Sequence, residues 1–130
     1  MAKIIKNKHF VIKDGVYNSC SDIIIGDNDF FIKFLKRNKI NGHKINPSWC
    51  AETGVFYNNN GSLAGNYIRL PNISFTNEDY KTIVHELSHL TFNILKQVGV
   101  KYGANNQEPY AYLLESLLGK FLEKAIKLYK

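Results

Sequence analysis

Thr82-Ile83-Val84-His85-Glu86-Leu87-Ser88-His89-Leu90 is the stretch on which the reading of this chain turns. It holds the pattern H-E-x-x-H inside an apolar run, with Ile83, Val84, Leu87, Leu90, Ile94 and Leu95 recurring at helical spacing. On an α-helix, residues four apart share a face, with Cβ atoms roughly 5–6 Å apart. His85 and His89 therefore point the same way, at a separation from which two imidazoles can grip one small cation. Zinc accepts neutral imidazole nitrogens at about 2.0–2.1 Å and keeps an open position when it is catalytic. Glu86 follows His85, about 100° further round the helix. From there its carboxylate reaches a water on the metal rather than the metal, and can take a proton from it. The expected cofactor is Zn2+, with His85 and His89 as ligands and Glu86 as general base.

The context suits a helix. Thr76 with Asp79 three residues later resembles a capping box, with Asp in place of the usual Glu or Gln. Gly99 stands where a helix-terminating glycine would. The predicted motif helix runs from about Asn77 to Val98, roughly 33 Å at 1.5 Å per residue. Gly99 to Gln107 reads as a loop. A last helix starts near Pro109, with Leu114, Leu117, Leu118, Phe121 and Leu122 on its apolar face.

Upstream the pattern is mostly extended. Lys3–Lys13 and Val16–Ile25 are rich in β-branched and aromatic residues and flank the turn signal Asp14-Gly15, which predicts a hairpin or two strands packed near each other. Asp27 is a plausible N-cap for a short helix carrying Phe30, Phe31, Phe34 and Leu35, with Lys36 and Arg37 near its end. Val55–Tyr57 and Tyr67–Arg69 read as a second hairpin around Asn58-Asn59-Asn60-Gly61. Pro71 cannot donate to a ladder, so the second of these strands is expected to stop there or to lie at an edge, where an extended peptide could pair near Tyr67–Leu70. The expected fold class is α+β. A small, mostly antiparallel N-terminal sheet with one helix is followed by the motif helix and a long C-terminal helix, in one domain over residues 1–130.

Composition bounds the partners. The chain has 130 residues, 45% hydrophobic and 22% charged, an ordinary globular balance with room for one core. The net charge of +6 comes from Lys and Arg spread along the chain, and the basic cluster Lys33–Lys44 reads as a solvated helix face, so a nucleic-acid partner is not expected. No apolar run reaches the roughly 20 residues of a membrane span. The first residues, broken by Lys3, Lys6, Lys8 and Lys13, do not read as a secretory signal, and the expected compartment is the cytoplasm. Cys20 and Cys50 lack metal-site spacing and are expected to be reduced thiols.

A catalytic zinc takes three protein ligands. His9, His43, Glu108, Glu115 and the two cysteines are the candidates for the third. Glu108 precedes Pro109, which places it at the helix N-cap or just outside. In a tight antiparallel pair of helices, His89 lies about nine residues, roughly 13 Å, before the end of the first helix, which points to Glu115. The loop before Glu108 could instead span up to roughly 30 Å and deliver Glu108 to the level of the histidines. Geometry leaves both open.

The motif helix together with Asn106-Gln107-Glu108-Pro109-Tyr110-Ala111-Tyr112-Leu113 resembles the gluzincin branch of the zincin metallopeptidases. H-E-[LV]-[ST]-H followed by N-x-E-x-x-A-Y-L is most similar to small zincin-like proteins encoded by phages and prophages. The resemblance covers roughly Asn77 to Leu118. It implies a zincin-like fold, zinc held by His85, His89 and Glu108, Glu86 as general base, and a peptide or protein substrate. It assigns no oxyanion-stabilising residue; Tyr102, Tyr110 and Tyr112 are candidates, each with aromatic packing as its plainer role. The expected function is a zinc-dependent hydrolase, a peptidase. The alternative is a non-catalytic phage-derived binding protein that keeps the zincin scaffold and its metal and contacts a virion component or a host protein.

Overall fold

The computed structural model describes residues 3–129. In chain order the elements are β1 (Lys8–Lys13), β2 (Cys20–Ile25), α1 (Asn28–Arg37), β3 (Glu52–Tyr57), β4 (Leu63–Leu70), α2 (Asn77–Gln97) and α3 (Glu108–Tyr129). The fold is α+β: four strands form one mixed sheet in the order β1-β2-β4-β3, with three helices packed against it.

Both expected hairpins form. β1 pairs antiparallel with β2, and β3 antiparallel with β4. The first turn is built by Asp14, whose buried carboxylate accepts hydrogen bonds from the backbone N–H groups of Val16, Tyr17 and Ser19. Those bonds keep residues 16–19 in the turn, so β2 begins at Cys20 and not at Val16 as the sequence predicts.

The strand order corrects a second expectation. β4 is interior, because it pairs parallel with β2 along Ser21–Ile25 and Asn66–Leu70 as well as with β3. The exposed edge beside α2 is therefore β3, not Tyr67–Leu70. The reason lies in burial. Successive strand residues face opposite sides, yet Asn66 to Leu70 are all buried, as are Ile23, Ile24 and Ile25. Strands buried on both faces belong inside a sheet that is covered on both. Pro71 stands just past the end of β4 and takes no part in its ladder.

Two cores result. Ile23, Ile25, Ile68 and Leu70 face α2 and α3, where Leu87, Leu90, Leu113, Leu117 and Phe121 meet them. Ile24, Phe56 and Tyr67 face α1, with Phe31, Phe34 and Leu35. α3 crosses over β1, with Phe121 edge-on to Phe10, and α2 lies over β4 and β3. Among the described residues, no helix is long and apolar enough to cross a membrane.

Candidate metal and catalytic site

α2 begins and ends as its sequence dictates. The Thr76 hydroxyl accepts from Asp79 N–H, and the Asp79 carboxylate returns to the Thr76 and Ser74 N–H groups. These bonds satisfy donors that a helix start leaves without partners. At the other end Gly99 takes a positive φ of 79°, Gly99 N–H donates to Lys96 O and Val100 N–H to Leu95 O. This is a Schellman stop, and glycine supplies the left-handed backbone it needs. The register of the helix is thereby held from both ends.

That register sorts the motif into two directions. Ile83, Leu87, Leu90, Ile94 and Leu95 point into the core. His85 and His89 are exposed on the outer side, with their Nε2 atoms 3.1 Å apart and ring planes at 79°. Two nitrogens bound to one tetrahedral zinc at about 2.0–2.1 Å would lie about 3.3 Å apart. The pair therefore fits half of a zinc donor set with little movement. Glu86, by contrast, is only 5% exposed. Its carboxylate accepts a hydrogen bond from the Thr53 hydroxyl at 2.7 Å, and its backbone carbonyl lies 3.0 Å from the same oxygen. Thr53 belongs to β3, so the carboxylate stands between the metal-motif helix and the free edge of the sheet.

The other candidates fall in separate places. Glu108 is the first residue of α3 and exposed, one position further into the helix than the Pro109 argument predicts. The loop between the helices does run back along α2. Two residues after Glu108, the Tyr110 hydroxyl shares a hydrogen bond with the Ser88 hydroxyl, and its ring packs 4.8 Å from Phe92. The first turn of α3 is thus beside Ser88, the chain neighbour of His89. Glu115 lies one to two turns further on, next to Ser116, whose hydroxyl accepts from Gly15 N–H at the β1–β2 turn. His9 pairs with Asp22 at 2.7 Å on the β1–β2 side. His43 lies on the α1 face of the sheet, bonded to the Tyr67 hydroxyl at 2.9 Å. Cys20 and Cys50 are free thiols. Among the described residues, no three His, Cys, Asp or Glu side chains gather as a metal-holding group, so the histidine pair stands without an assembled third donor.

Of the tyrosines, Tyr110 is half-buried against Phe92 and Tyr102, whereas Tyr102 and Tyr112 are exposed. Sequence reasoning did not single out Thr53 or the Ser88–Tyr110 bond. The first could be found only by knowing that β3 lies along α2.

Behind β3 is a second polar group. The fully buried Arg69 guanidinium lies 4.8 Å over the Phe31 ring and 4.0 Å from Glu52, and bonds Asn28 and the Asn46 carbonyl. Asn46 donates in turn to Glu52. Burial pushes the Tyr67 hydroxyl well above its ordinary range, and the neighbouring Glu52 adds to this. Burial lowers the His43 pKa, with Glu52 opposing. These bonds tie the irregular stretch between α1 and β3 to the sheet, on the side away from Glu86. Comparison of the chain with family models, with curated proteins and with solved structures returns no match.

Proposed function

We propose that this protein is a zincin-like, zinc-dependent hydrolase acting on peptide bonds. The observation that carries the reading is the division of the motif: two exposed imidazole nitrogens 3.1 Å apart, and the Glu86 carboxylate one residue away, turned to the open β3 edge. His85 and His89 would hold the ion, and Glu108, at the start of the helix whose Tyr110 bonds Ser88, is the residue that would complete the donor set. A bound zinc would supply a Lewis acid that polarises a carbonyl and makes water a better nucleophile near neutral pH. Glu86 takes the proton of the attacking water and passes it to the leaving amine. The β3 edge offers free backbone N–H and C=O groups to align an extended chain across that carboxylate.

The test measures zinc content and peptide cleavage together, on wild type and Glu86→Gln. Zinc retained in both with cleavage lost in the variant supports the reading. A folded wild type that takes up no divalent metal overturns it. The second reading is a binding protein on the same scaffold, favoured by the exposed apolar side chains Val84 and Phe92 that flank the histidines on α2. A zinc-loaded wild type that cleaves nothing in a broad peptide mixture moves the weight to it.

A further inference from the structure

On the face of the sheet opposite α2, one segment gathers most of the protein's excess charge. Residues 30–51 carry Lys33, Lys36, Arg37, Lys39 and Lys44 and no acid, in a chain whose net charge is +6. All five are exposed, and among the described residues none of their side chains forms an ion pair or a hydrogen bond. Lys33 and Arg37 lie four apart and so share one side of α1. Arg37 comes three residues after Phe34, whose buried ring, with that of Phe56, floors a pocket of about 250 Å³ between the end of α1 and the β3–β4 hairpin. Its rim carries Asn38 and Lys39 from the first and Tyr57, Asn58 and Asn59 from the second. The one acid that lines it, Asp22, is already paired with His9 at 2.7 Å.

Lys39 is there at a cost. α1 stops as α2 does, with the N–H groups of Lys39 and Ile40 turning back to Lys36 O and Leu35 O. α2 gives the left-handed position of that stop to Gly99, whereas α1 gives it to Lys39, at φ 57°. A side chain is strained there and glycine is not. Of the other non-glycine residues with positive φ among those described, Asn7 and Asn18 are of the type that tolerates it, and Phe75 is held by ring contacts with Tyr80 and Tyr129. Lys36 and Arg37 already serve the negative end of the helix. What a lysine adds at position 39 is a cation on the rim of the pocket. The polar rim is unspent as well. Asn59 has a free amide, and Asn38 and Asn58 commit only their Nδ2 groups, to Phe34 O and the Ser62 hydroxyl. The Tyr57 ring is 60% exposed.

We propose that this pocket binds a nucleotide unit, with its phosphate at Lys39 and its base between Tyr57 and the asparagine amides. Each part of that ligand answers a part of the site. A base has a face that stacks on an exposed aromatic ring and an edge of donors and acceptors that amides read. Phosphate is the anion for a cation that has no counter-ion in the fold. At about 250 Å³ the pocket is smaller than the roughly 300–1,000 Å³ of a whole ligand site and suits one base with its phosphate outside. Arg37 and Lys33 continue the row of cations along α1, which gives the next phosphates of a single strand their partners. A run of carboxylates would use the cations alone and leave Tyr57 and the amides unengaged. The site is separate from the histidine pair and independent of the hydrolase reading.

Fluorescence anisotropy on the full chain tests this, with a labelled single-stranded DNA octanucleotide of mixed sequence as probe. The strand should bind saturably, at least about tenfold more tightly than a labelled peptide of eight glutamates. Lys39→Gly relieves the strained backbone and removes the cation. It should raise the melting temperature while weakening strand binding about fivefold or more, a pair of changes that a loss of fold does not give. Lys39→Gln should weaken binding likewise without the thermal gain. With one phosphate contact fewer, the slope of log affinity against log salt should flatten by about 0.7 in either variant. Tyr57→Ala should weaken binding about fivefold or more through lost stacking. Competition with a mixture of the four nucleoside monophosphates separates two sources of the same chemistry. Displacement at comparable concentration assigns the site to a free nucleotide, displacement only by unlabelled strand assigns it to a strand, and both uphold the proposal. No binding of the strand, equal affinity for strand and glutamate peptide, or full affinity in the Lys39 variants or in Tyr57→Ala overturns it.

Discussion

Thr53 on β3 donates its hydroxyl hydrogen to the buried carboxylate of Glu86 on α2, 2.7 Å away and 33 residues distant in sequence. A hydrogen bond to a charged group contributes more than a neutral one, and leaving a buried carboxylate short of a donor costs more still. The same bond both fastens the edge strand to the motif helix and aims the proposed base.

Thr53→Val should therefore destabilise the protein by about 1.5–3 kcal/mol, as the shape is kept and the donor lost. Thr53→Ser retains the hydroxyl and should cost no more than about 0.8 kcal/mol for the missing methyl. Urea denaturation of the three proteins measures both. Equal loss in the two variants would show that packing, and not the hydrogen bond, is what Thr53 supplies.

Glu86→Gln keeps an oxygen acceptor for Thr53 and nearly the same volume. It should fold with zinc content unchanged, because Glu86 points away from the histidine pair. Its turnover should fall about 10²–10⁴-fold, the usual contribution of a positioned general base. Metal analysis and peptide hydrolysis on the same preparation decide this; unchanged turnover would remove Glu86 from the chemistry.

The purified protein should take up about one equivalent of zinc, lost in the double variant His85→Ala with His89→Ala and on acidification, since only neutral imidazole binds metal. Glu108→Ala should weaken zinc binding strongly and Glu115→Ala little, since Glu108 begins the helix turn fastened to Ser88 while Glu115 sits by the β1–β2 turn. Tyr110→Phe removes that fastening and should weaken zinc binding to a smaller degree than Glu108→Ala. Competition with a chromogenic chelator ranks the three. Loss of metal in the Glu115 variant alone would reverse the assignment.

His43 gives the protein an acid sensitivity. Its folded pKa is lowered by burial among Phe31, Phe56 and Tyr67, below the 6.5 of the unfolded chain. Between those two values the unfolded state binds more protons, so the contribution of neutral His43 is complete above about 6.5 and is lost as pH falls through the folded value. His43→Phe should flatten that part of the stability–pH curve relative to wild type. Parallel thermal melts from pH 7.5 downward test it; identical pH dependence in the two proteins would exclude His43 as the source.

Much of this protein is written in short-range pattern. The span of α2 follows from Thr76, Asp79 and Gly99, and the shared direction of His85 and His89 from their four-residue spacing. Asp27 and Asn58–Gly61 likewise mark a helix start and a hairpin tip, because caps and turns are made by residues within a few positions of one another. What lies beyond that range was decided by burial. Pro71 implies that β4 stops there or lies at an edge; the strand does stop at Leu70, but Asn66–Leu70 and Ile23–Ile25 are buried on both faces and pair in parallel inside the sheet, which leaves β3 outermost. That choice put Thr53 against Glu86. Spacing likewise left Glu108 and Glu115 both open as neighbours of the histidines. The Ser88–Tyr110 bond, made only when the loop folds back along α2, is what brings the start of α3 to Ser88. Helical periodicity is a property of the chain alone, whereas strand order and the path of a loop depend on which distant surfaces exclude water from one another.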